Sequence, residues 1–319
     1  MTQEISSGPA GSLFGRSRGR VDRALTDREE VACPMCATVP RQFGVDFQGL
    51  QLARCESCGL EFQSPRPTFE QLERAVYGDG YHPPEHAQLD RVQKANYARQ
   101  LTRLEVTVGP GRRSLLDVGC GAAAFIRYGA ERGWVVDGTD IVLTEWARQT
   151  NARLWQGQLP AIDFGTIAEG GWPRYDVVRF NHVLEHTRDP LAELRRAYEL
   201  LAPGGLVLVG VPNIGGLSIR LKSWQSRLGV KRKAWKHYGA LHHLWFFTPD
   251  TLARLIRTAG FDVVRRETPV VDRHKGGALG RSLRRALRAP LEWSHAGGIL
   301  DLYAQRPFDN SPASVVPLL

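Results

Sequence analysis

Short apolar runs alternate with helical patterns along the chain beyond residue 109. The apolar runs predict seven strands, at residues 114–119, 134–140, 152–157, 175–181, 205–212, 261–267 and 299–306. Between them, apolar residues recur at helical spacing, most clearly at residues 122–133, 143–150 and 190–201. Because strands alternate with helices, the pattern predicts an α/β fold with a parallel sheet and right-handed crossovers.

The chain ahead of this sheet divides into three segments. Residues 1–30 are polar and have no apolar periodicity, which predicts a flexible leader. Residues 31–66 contain four of the five cysteines, and residues 67–108 show a helical pattern. We therefore predict a leader, a cysteine module, a helical connector and an α/β domain at residues 109–319.

The composition is that of a folded chain. Of the 319 residues, 42% are apolar and 24% are charged, which is enough for a buried core and excludes wholesale disorder. The longest strongly apolar stretch, residues 206–211, is far shorter than the roughly 20 residues of a membrane-spanning helix. The first part of the chain also lacks the apolar core of a signal peptide. The sequence therefore predicts a soluble, cytoplasmic protein.

The formal net charge of +9 is concentrated in one segment. Residues 214–247 contain no acidic residue, and their basic residues are Arg220, Lys222, Arg227, Lys231, Arg232, Lys233 and Lys236. Here we predict an amphipathic helix whose apolar residues pack inward, namely Leu217, Leu221, Trp224 and Leu228. Its basic face would meet a phosphate or an anionic membrane surface, so peripheral membrane contact is one expected property.

Two pairs of cysteines, Cys33/Cys36 and Cys55/Cys58, stand eighteen residues apart. A cytosolic chain rarely keeps structural disulfides, so paired cysteines indicate a metal. Two such pairs can donate four thiolates to tetrahedral Zn²⁺. Because a closed four-cysteine site leaves no position for a water, we predict that the zinc is structural.

The segment LLDVGCGAAAF is the strongest chemical signal. A strand ends near Asp117, and the Gly119–Gly121 turn leads into a helix. Glycines let the backbone approach a ligand and leave helix N–H groups directed at it. Position 124 is Ala, so the dinucleotide pattern G-x-G-x-x-G is incomplete, and Asp117 would repel a pyrophosphate but suit an amino group. Asp140 ends the next strand, where a carboxylate can accept both ribose hydroxyls.

Five segments then appear in a familiar order: LLDVGCGAAAF, GTDIV, YDVVRFNHVLEHTRDPLAEL, LLAPGGLVLVGVPN and LHHLWFFTPDTLARLIRTAGF. With these segments, residues 85–307 resemble class I S-adenosylmethionine-dependent methyltransferases. The resemblance implies a Rossmann-like seven-stranded sheet with an antiparallel last strand. The stretch CESCGLEFQSPRPTFEQLERAVYGDGY resembles the zinc-ribbon leader of bacterial methyltransferases of sugar, surface-glycan and natural-product pathways.

The resemblance also implies an S-adenosylmethionine site. The glycine turn would support the methionine part, Asp140 the ribose, and Gln158 and Leu159 the adenine. Cys120 is expected to be a small residue that the turn tolerates. The expected cofactor-binding residues are Asp117, Gly119, Cys120, Gly121, Asp140, Ile141, Gln158, Leu159 and Asn181.

The string His182-Val-Leu-Glu185-His186 matches the inverted zinc-protease motif H-x-x-E-H. Its position directly after a buried strand argues against a protease. The string is also similar to the E-x-x-E-H of ubiquinone-pathway O-methyltransferases, for which a divalent metal is implicated, although His182 here replaces the first acid. The alternative is that Glu185 and His186 organise the start of the next helix.

Histidines are the candidate catalytic residues. His182 and His243 are the leading general bases, because imidazole can take a hydroxyl proton near neutral pH. His186 is a third candidate, and His242 could substitute for His243.

The sequence thus predicts methyl transfer from S-adenosylmethionine to a small-molecule acceptor. We expect a sugar or glycoconjugate, in phosphorylated or nucleotide-linked form, and O-methylation rather than C-methylation. One alternative is an RNA methyltransferase that grips phosphates with the zinc ribbon and the basic segment, but the Asn/Asp-Pro-Pro-Tyr/Phe signature of base methylation is missing. A non-catalytic scaffold is the other alternative, and the Gly119, Gly121 and Asp140 set argues against it. The acceptor and the oligomeric state stay open.

Overall fold

The computed structural model describes residue 21 and residues 24–77, 88–165, 174–269 and 294–308. The strands are β1 (Arg28–Glu29), β2 (Arg41–Val45), β3 (Gln51–Arg54), β4 (Glu61–Phe62), β5 (Arg66–Pro67), β6 (Ser114–Val118), β7 (Val135–Asp140), β8 (Leu154–Gln156), β9 (Tyr175–Asn181), β10 (Leu201–Pro212), β11 (Trp245–Phe246), β12 (Asp262–Glu267) and β13 (Ile299–Gln305). The helices are α1 (Phe69–Ala75), α2 (Arg91–Val108), α3 (Ala124–Ala130), α4 (Glu145–Arg148), α5 (Pro190–Leu200), α6 (Leu217–Arg227) and α7 (Pro249–Thr258).

A seven-stranded sheet forms the centre of the protein. Its strand order is β12-β13-β10-β9-β6-β7-β8. Strands β6 to β10 pair in parallel, whereas β13 is antiparallel to both β10 and β12. The predicted α/β, Rossmann-like sheet with an antiparallel last strand is confirmed, and each of the seven predicted strands is present.

Both faces of this sheet are covered by helices, which explains why its strands are apolar runs. Leu115 and Val177 pack in one core with residues of α2 and α3. Their chain neighbours Leu116 and Val178 point the other way and pack with residues of α5 and α7. Alternation along each strand therefore divides the apolar side chains between two cores.

The cysteine module shares a sheet with the C-terminal half of the chain. Strands β2, β3 and β4 pair antiparallel, and β11 adds a fourth strand beside β4. The predicted leader also ends earlier than expected, because β1 pairs with β5 and the side chains of Val21 and Leu25 are buried. Residues 1–20 lie outside the described residues.

Helix α6 does not pack as the sequence predicts. The four apolar residues that were expected to pack inward are 55–59% exposed: Leu217, Leu221, Trp224 and Leu228. Small polar residues make the contacts instead. Ser223 Oγ lies 2.8 Å from His237 Nε2, and the amide of Trp235 donates to Ser226 Oγ at 3.1 Å. The prediction of inward packing is wrong because the helix turns its serine face to the protein.

Within the described ranges, no helix is both long and apolar enough to cross a membrane.

Candidate active site

A cavity of about 110 Å³ opens at the ends of the parallel strands. Residues that end or follow four neighbouring strands line it: Val118, Gly119, Thr139, Asp140, Ile141, Gly157, Gln158, Leu159, His182 and Val183. Open α/β sheets bind ligands in this position, outside the carboxyl ends of the strands.

The turn after β6 requires glycine at one position in particular. Gly119 has φ of 69°, and a Cβ atom there would lie 2.3 Å from Cγ2 of Val183. Its amide donates to the carbonyl of Thr139 at 2.7 Å, which ties the turn to β7. The backbone of this turn therefore forms part of the cavity wall, where a side chain would not fit.

Asp140 is held at the edge of the cavity by two backbone amides. Its Oδ2 accepts from the amide of Gly121 at 2.8 Å, and its Oδ1 accepts from the amide of Val142 at 3.1 Å. The residue is buried and lines the cavity. Each carboxylate oxygen offers two acceptor positions, so this orientation suits a pair of ribose hydroxyls.

Four of the expected cofactor-binding residues do not line this cavity, namely Asp117, Cys120, Gly121 and Asn181. Asp117 instead accepts from Nη1 of Arg179 at 2.6 Å, and both side chains are only 3% exposed. The two residues stand opposite each other on β6 and β9, a register that the sequence does not reveal. Asn181 accepts from Gln100 through its Oδ1, and Cys120 is packed near Gly138. Asp117 is therefore engaged in a buried ion pair, and its contact with an amino group of the cofactor stays a prediction.

Eight lining residues are not among the predicted site residues, and four of them lie away from the motif segments or at their far ends: Phe69, Tyr77, Thr187 and Glu193. Phe69 and Tyr77 come from the connector, far from the sheet in sequence, so no local signal marks them. Glu193 lies in the first turn of α5, and its Oε2 is buried without a hydrogen-bond partner in the structure described. Burial, with a smaller effect of the Asp189 charge, raises the pKa of Glu193 to about 8.

His182 and Glu185 form a pair at the end of β9. His182 adopts φ of 57°, and its Nδ1 lies 3.3 Å from Glu185 Oε1. Desolvation opposes ionisation of Glu185, but the hydrogen bond from His182 and the charges of neighbouring histidines lower its pKa to about 2. Desolvation also lowers the pKa of His182, but its contact with Glu185 outweighs that effect and the net shift is upward. The pair thus combines an ionised carboxylate with an imidazole of raised basicity.

Two further histidines lie beside this pair. Nδ1 of His186 is 2.6 Å from the carbonyl oxygen of His242, and Nδ1 of His243 is 3.0 Å from that of Tyr238. A carbonyl only accepts, so Nδ1 of each ring carries a proton. Burial, reinforced by nearby histidines, lowers the pKa of His243 to about 4 and that of His242 to about 3. His186 lines the main cavity, whereas His243 borders a smaller one.

The histidine cluster could also hold a divalent cation. Ligand atoms of Glu185, His186 and His243 all lie within 4.8 Å of one another. Two imidazoles and one carboxylate are a common donor set for transition metals. The sequence suggested His182, Glu185 and His186 for such a set, and the structure brings in His243 from a distant part of the chain.

The four cysteines of the module converge on one point. Their sulfur atoms all lie within 4.8 Å of one another, and those of Cys33 and Cys58 are 3.5 Å apart. A tetrahedral site with Zn–S bonds of about 2.3 Å separates its sulfurs by about 3.8 Å. The amides of Ala37 and Gly59 donate back to the carbonyls of Cys33 and Cys55, which closes both loops. This donor set fits Zn²⁺.

Comparisons with known proteins show the family to which the chain belongs. A family model described as "Methyltransferase domain" matches residues 87–266. Two proteins from strains of Cereibacter sphaeroides, both named "Ubiquinone biosynthesis O-methyltransferase", are 32% identical over 231 residues and 30% identical over 229 residues. Each alignment covers 68% of this chain and 84% of the relative. A solved S-adenosylmethionine-dependent methyltransferase from Archaeoglobus fulgidus aligns with 72% of this chain and 100% of its own, at 17% identity and a TM-score of 0.45.

The chain therefore belongs to the methyltransferase-domain family. It is an S-adenosylmethionine-dependent methyltransferase of class I.

Proposed function

We propose that the protein methylates a hydroxyl of a small-molecule acceptor, with His182 as the general base. The observation that carries this proposal is the His182–Glu185 pair at the rim of a cavity whose wall includes Gly119 and Asp140. Bound S-adenosylmethionine supplies the methyl group on a sulfonium sulfur, which keeps the electron pair when the S–C bond breaks.

His182 is suited to take the acceptor's proton. Because ionised Glu185 only accepts, Nδ1 of His182 carries the hydrogen between them and Nε2 is the atom that receives a proton. Glu185 then stabilises the imidazolium that forms. The acceptor oxygen bonds to the methyl carbon as its proton passes to Nε2. Because 45% of the His182 side chain is exposed, the proton can leave to solvent. The cavity's further contribution is alignment of the two reactants.

We propose a sugar hydroxyl as the acceptor, in a sugar, a nucleotide-linked sugar or a glycoconjugate. The resemblance of the cysteine module to the leaders of glycan-pathway methyltransferases supports this choice. A phenol is the second candidate. It is favoured by the two aromatic side chains that line the cavity, Phe69 and Tyr77, and by the relatives named for ubiquinone biosynthesis.

A methyl-transfer assay tests both the reaction and the acceptor class. Labelled S-adenosylmethionine is supplied with sugar nucleotides, glycans, catechols and RNA, and the methylated product is identified by mass spectrometry. His182→Asn is the informative variant, because Asn tolerates the left-handed backbone at this position and cannot act as a base. We expect its kcat to fall about 10²–10⁴-fold with unchanged cofactor affinity. An unchanged kcat in His182→Asn contradicts the role of His182, and methylation of RNA alone contradicts the small-molecule acceptor.

We also propose that α6 brings this cytoplasmic enzyme to an anionic membrane surface. Its exposed apolar stripe lies on the same helix as three exposed cations, Arg220, Lys222 and Arg227. An apolar stripe with basic flanks is typical of helices that lie in the membrane interface.

Vesicle co-sedimentation tests this surface. We expect binding to vesicles that contain phosphatidylglycerol, none to pure phosphatidylcholine, and loss of binding in the double variant Leu221→Ser/Trp224→Ser. Absence of binding to either vesicle contradicts the membrane proposal and leaves the basic segment to a phosphorylated acceptor. In that case, neutralising Lys231, Arg232 and Lys233 should raise KM for the acceptor and leave cofactor affinity unchanged.

A further inference from the structure

The residues that follow the 3₁₀ turn Lys236–Tyr238 carry two histidines that lie beside the active-site cavity. We call residues 239–244 the histidine segment. It contains His242 and His243 and leads directly into β11. Its position matters for the chemistry, because a ring nitrogen of His243 lies within 4.8 Å of ligand atoms of Glu185 and His186.

The N-terminal half of the chain holds the backbone of this segment. The side-chain amide of Gln63 donates to the carbonyls of both Ala240 and His243, the latter at 2.7 Å. The backbone amide of Gln63 donates to the carbonyl of Leu244 at 3.0 Å. Gln63 is almost completely buried, so these bonds are shielded from water. One glutamine next to β4 therefore fixes the segment at three carbonyls.

Tyr77 provides a second attachment, at the carbonyl of His242. Its hydroxyl donates to this oxygen at 2.7 Å, and Nδ1 of His186 donates to the same oxygen at 2.6 Å. The Tyr77 ring also stands edge-on to the His186 ring, with centroids 6.0 Å apart. A single carbonyl, oriented by Tyr77, thus selects the tautomer that leaves Nε2 of His186 directed away from the backbone.

A third contact closes the arrangement. The hydroxyl of Tyr238 donates to Oε2 of buried Glu61 at 2.6 Å, and the carbonyl of Tyr238 accepts from Nδ1 of His243. Glu61 belongs to β4, which pairs with β11 and begins three residues after Cys58. The cysteine module is therefore linked to the histidine segment by hydrogen bonds from Gln63 and to the adjoining Tyr238 by Glu61.

We propose that Gln63 of the cysteine module and Tyr77 of the connector are positioning residues of the active site, and that together they set the orientation and tautomer of His186 and His243. This proposal rests on the proposed function in one respect, namely that the cavity lined by His186 binds the acceptor. The N-terminal half of the chain is on this basis a part of the catalytic apparatus, because its contacts define which imidazole nitrogen each histidine presents.

The decisive variant is Tyr77→Phe, which removes one hydroxyl and keeps the ring. Its matched control is Tyr175→Phe, which also removes a buried tyrosine hydroxyl bond, to Asp137 at 2.8 Å, but in the sheet away from the histidine segment. Long-range ¹H–¹⁵N spectra of the histidine rings report the tautomers directly. Steady-state kinetics separates kcat from KM, and calorimetry gives the affinity for S-adenosylhomocysteine.

We expect the parent to show His186 and His243 with the proton on Nδ1. In Tyr77→Phe, the His186 signals should shift toward a mixture of tautomers, kcat should fall about 10–100-fold, and product affinity should change less than twofold. In Gln63→Met, the His243 signals should shift toward a mixture of tautomers and kcat should fall by a similar factor. Tyr175→Phe should alter neither the tautomers nor kcat.

Two results overturn the proposal. One is a His186 tautomer in Tyr77→Phe that is the same as in the parent. The other is a change of the His186 tautomer in Tyr175→Phe that is as large as in Tyr77→Phe. Because Tyr77→Phe is a small change, it decides the question even if Gln63→Met does not fold. If the parent methylates none of the acceptors, the proposed function fails. The tautomer measurement does not depend on activity, so it still decides whether Gln63 and Tyr77 position the histidines.

Discussion

Gly119→Ala should both destabilise the protein and weaken cofactor binding. The new Cβ would lie 2.3 Å from Val183 Cγ2, whereas carbon atoms normally approach to about 3.5–4.0 Å. Relieving such an overlap in a packed site costs about 1–3 kcal/mol. The left-handed backbone, with φ of 69°, adds roughly 1–2 kcal/mol for a residue with a Cβ. We therefore expect a loss of about 2–5 kcal/mol in the free energy of unfolding.

Two further variants separate the overlap from the backbone strain. Gly111 has φ of 81° and nothing within 4 Å of its Cβ position, so Gly111→Ala should show the strain alone. The double variant Gly119→Ala/Val183→Ala removes the overlapping atoms and should recover about 1–3 kcal/mol relative to the sum of the single changes. Urea unfolding gives the stabilities, and calorimetry with S-adenosylhomocysteine gives the affinities. The steric reasoning would be refuted if the effects of Gly119→Ala and Val183→Ala on the free energy of unfolding simply added in the double variant. It would also be refuted if Gly111→Ala and Gly119→Ala lost the same free energy of unfolding.

Three other predictions concern the cofactor, the cysteines and pH. Asp140→Ala should weaken S-adenosylmethionine binding by roughly 1–3 kcal/mol, since charge-assisted hydrogen bonds are lost, and calorimetry that matches the parent contradicts the ribose role. Purified protein should contain about one equivalent of zinc, and Cys58→Ser should lower both metal content and melting temperature, whereas metal-free protein with unchanged melting contradicts the zinc site. The pKa of Glu193 rises from 4.5 to about 8 on folding, so its protonated form stabilises the protein fully below pH 4.5 and this stability is lost as the pH rises toward 8. Glu193→Gln should therefore be more stable than the parent at pH 9 by roughly 3–5 kcal/mol and equal to it at pH 4, and a constant difference in urea unfolding refutes this.

The fold could be predicted from the sequence because the central parallel strands β6, β9 and β10 are buried on both faces. Such strands read as continuous apolar runs, and the crossover helices between them follow their own period. The cavity wall was predictable for a related reason, since strand ends meet at one edge of the sheet. The sequence therefore pointed to Gly119, Asp140, Gln158, Leu159 and His182, which the structure brings together.

The features that could not be predicted depend on contacts between distant residues. The ion pair of Asp117 with Arg179 follows from the register of two strands, which local patterns leave open. The outward face of α6 is another example. The spacing of its apolar residues predicts an apolar stripe on the helix but does not predict whether that stripe packs against the protein or faces solvent. The connection of Gln63 to the histidine segment spans 180 positions and has no local signature.

The pairing of β4 with β11 has a consequence for synthesis of the chain on the ribosome. The cysteine module is translated first, but its fourth strand follows only about 180 residues later. Because the ribosome adds about 5–20 residues per second, β11 is synthesised on the order of 10–40 s after β4. The edge of β4 at Glu61–Phe62 is unpaired during this time. During that interval its backbone N–H and C=O groups can pair with other nascent chains. We expect early zinc loading, which would order β4 while it waits, to reduce aggregation of newly made protein.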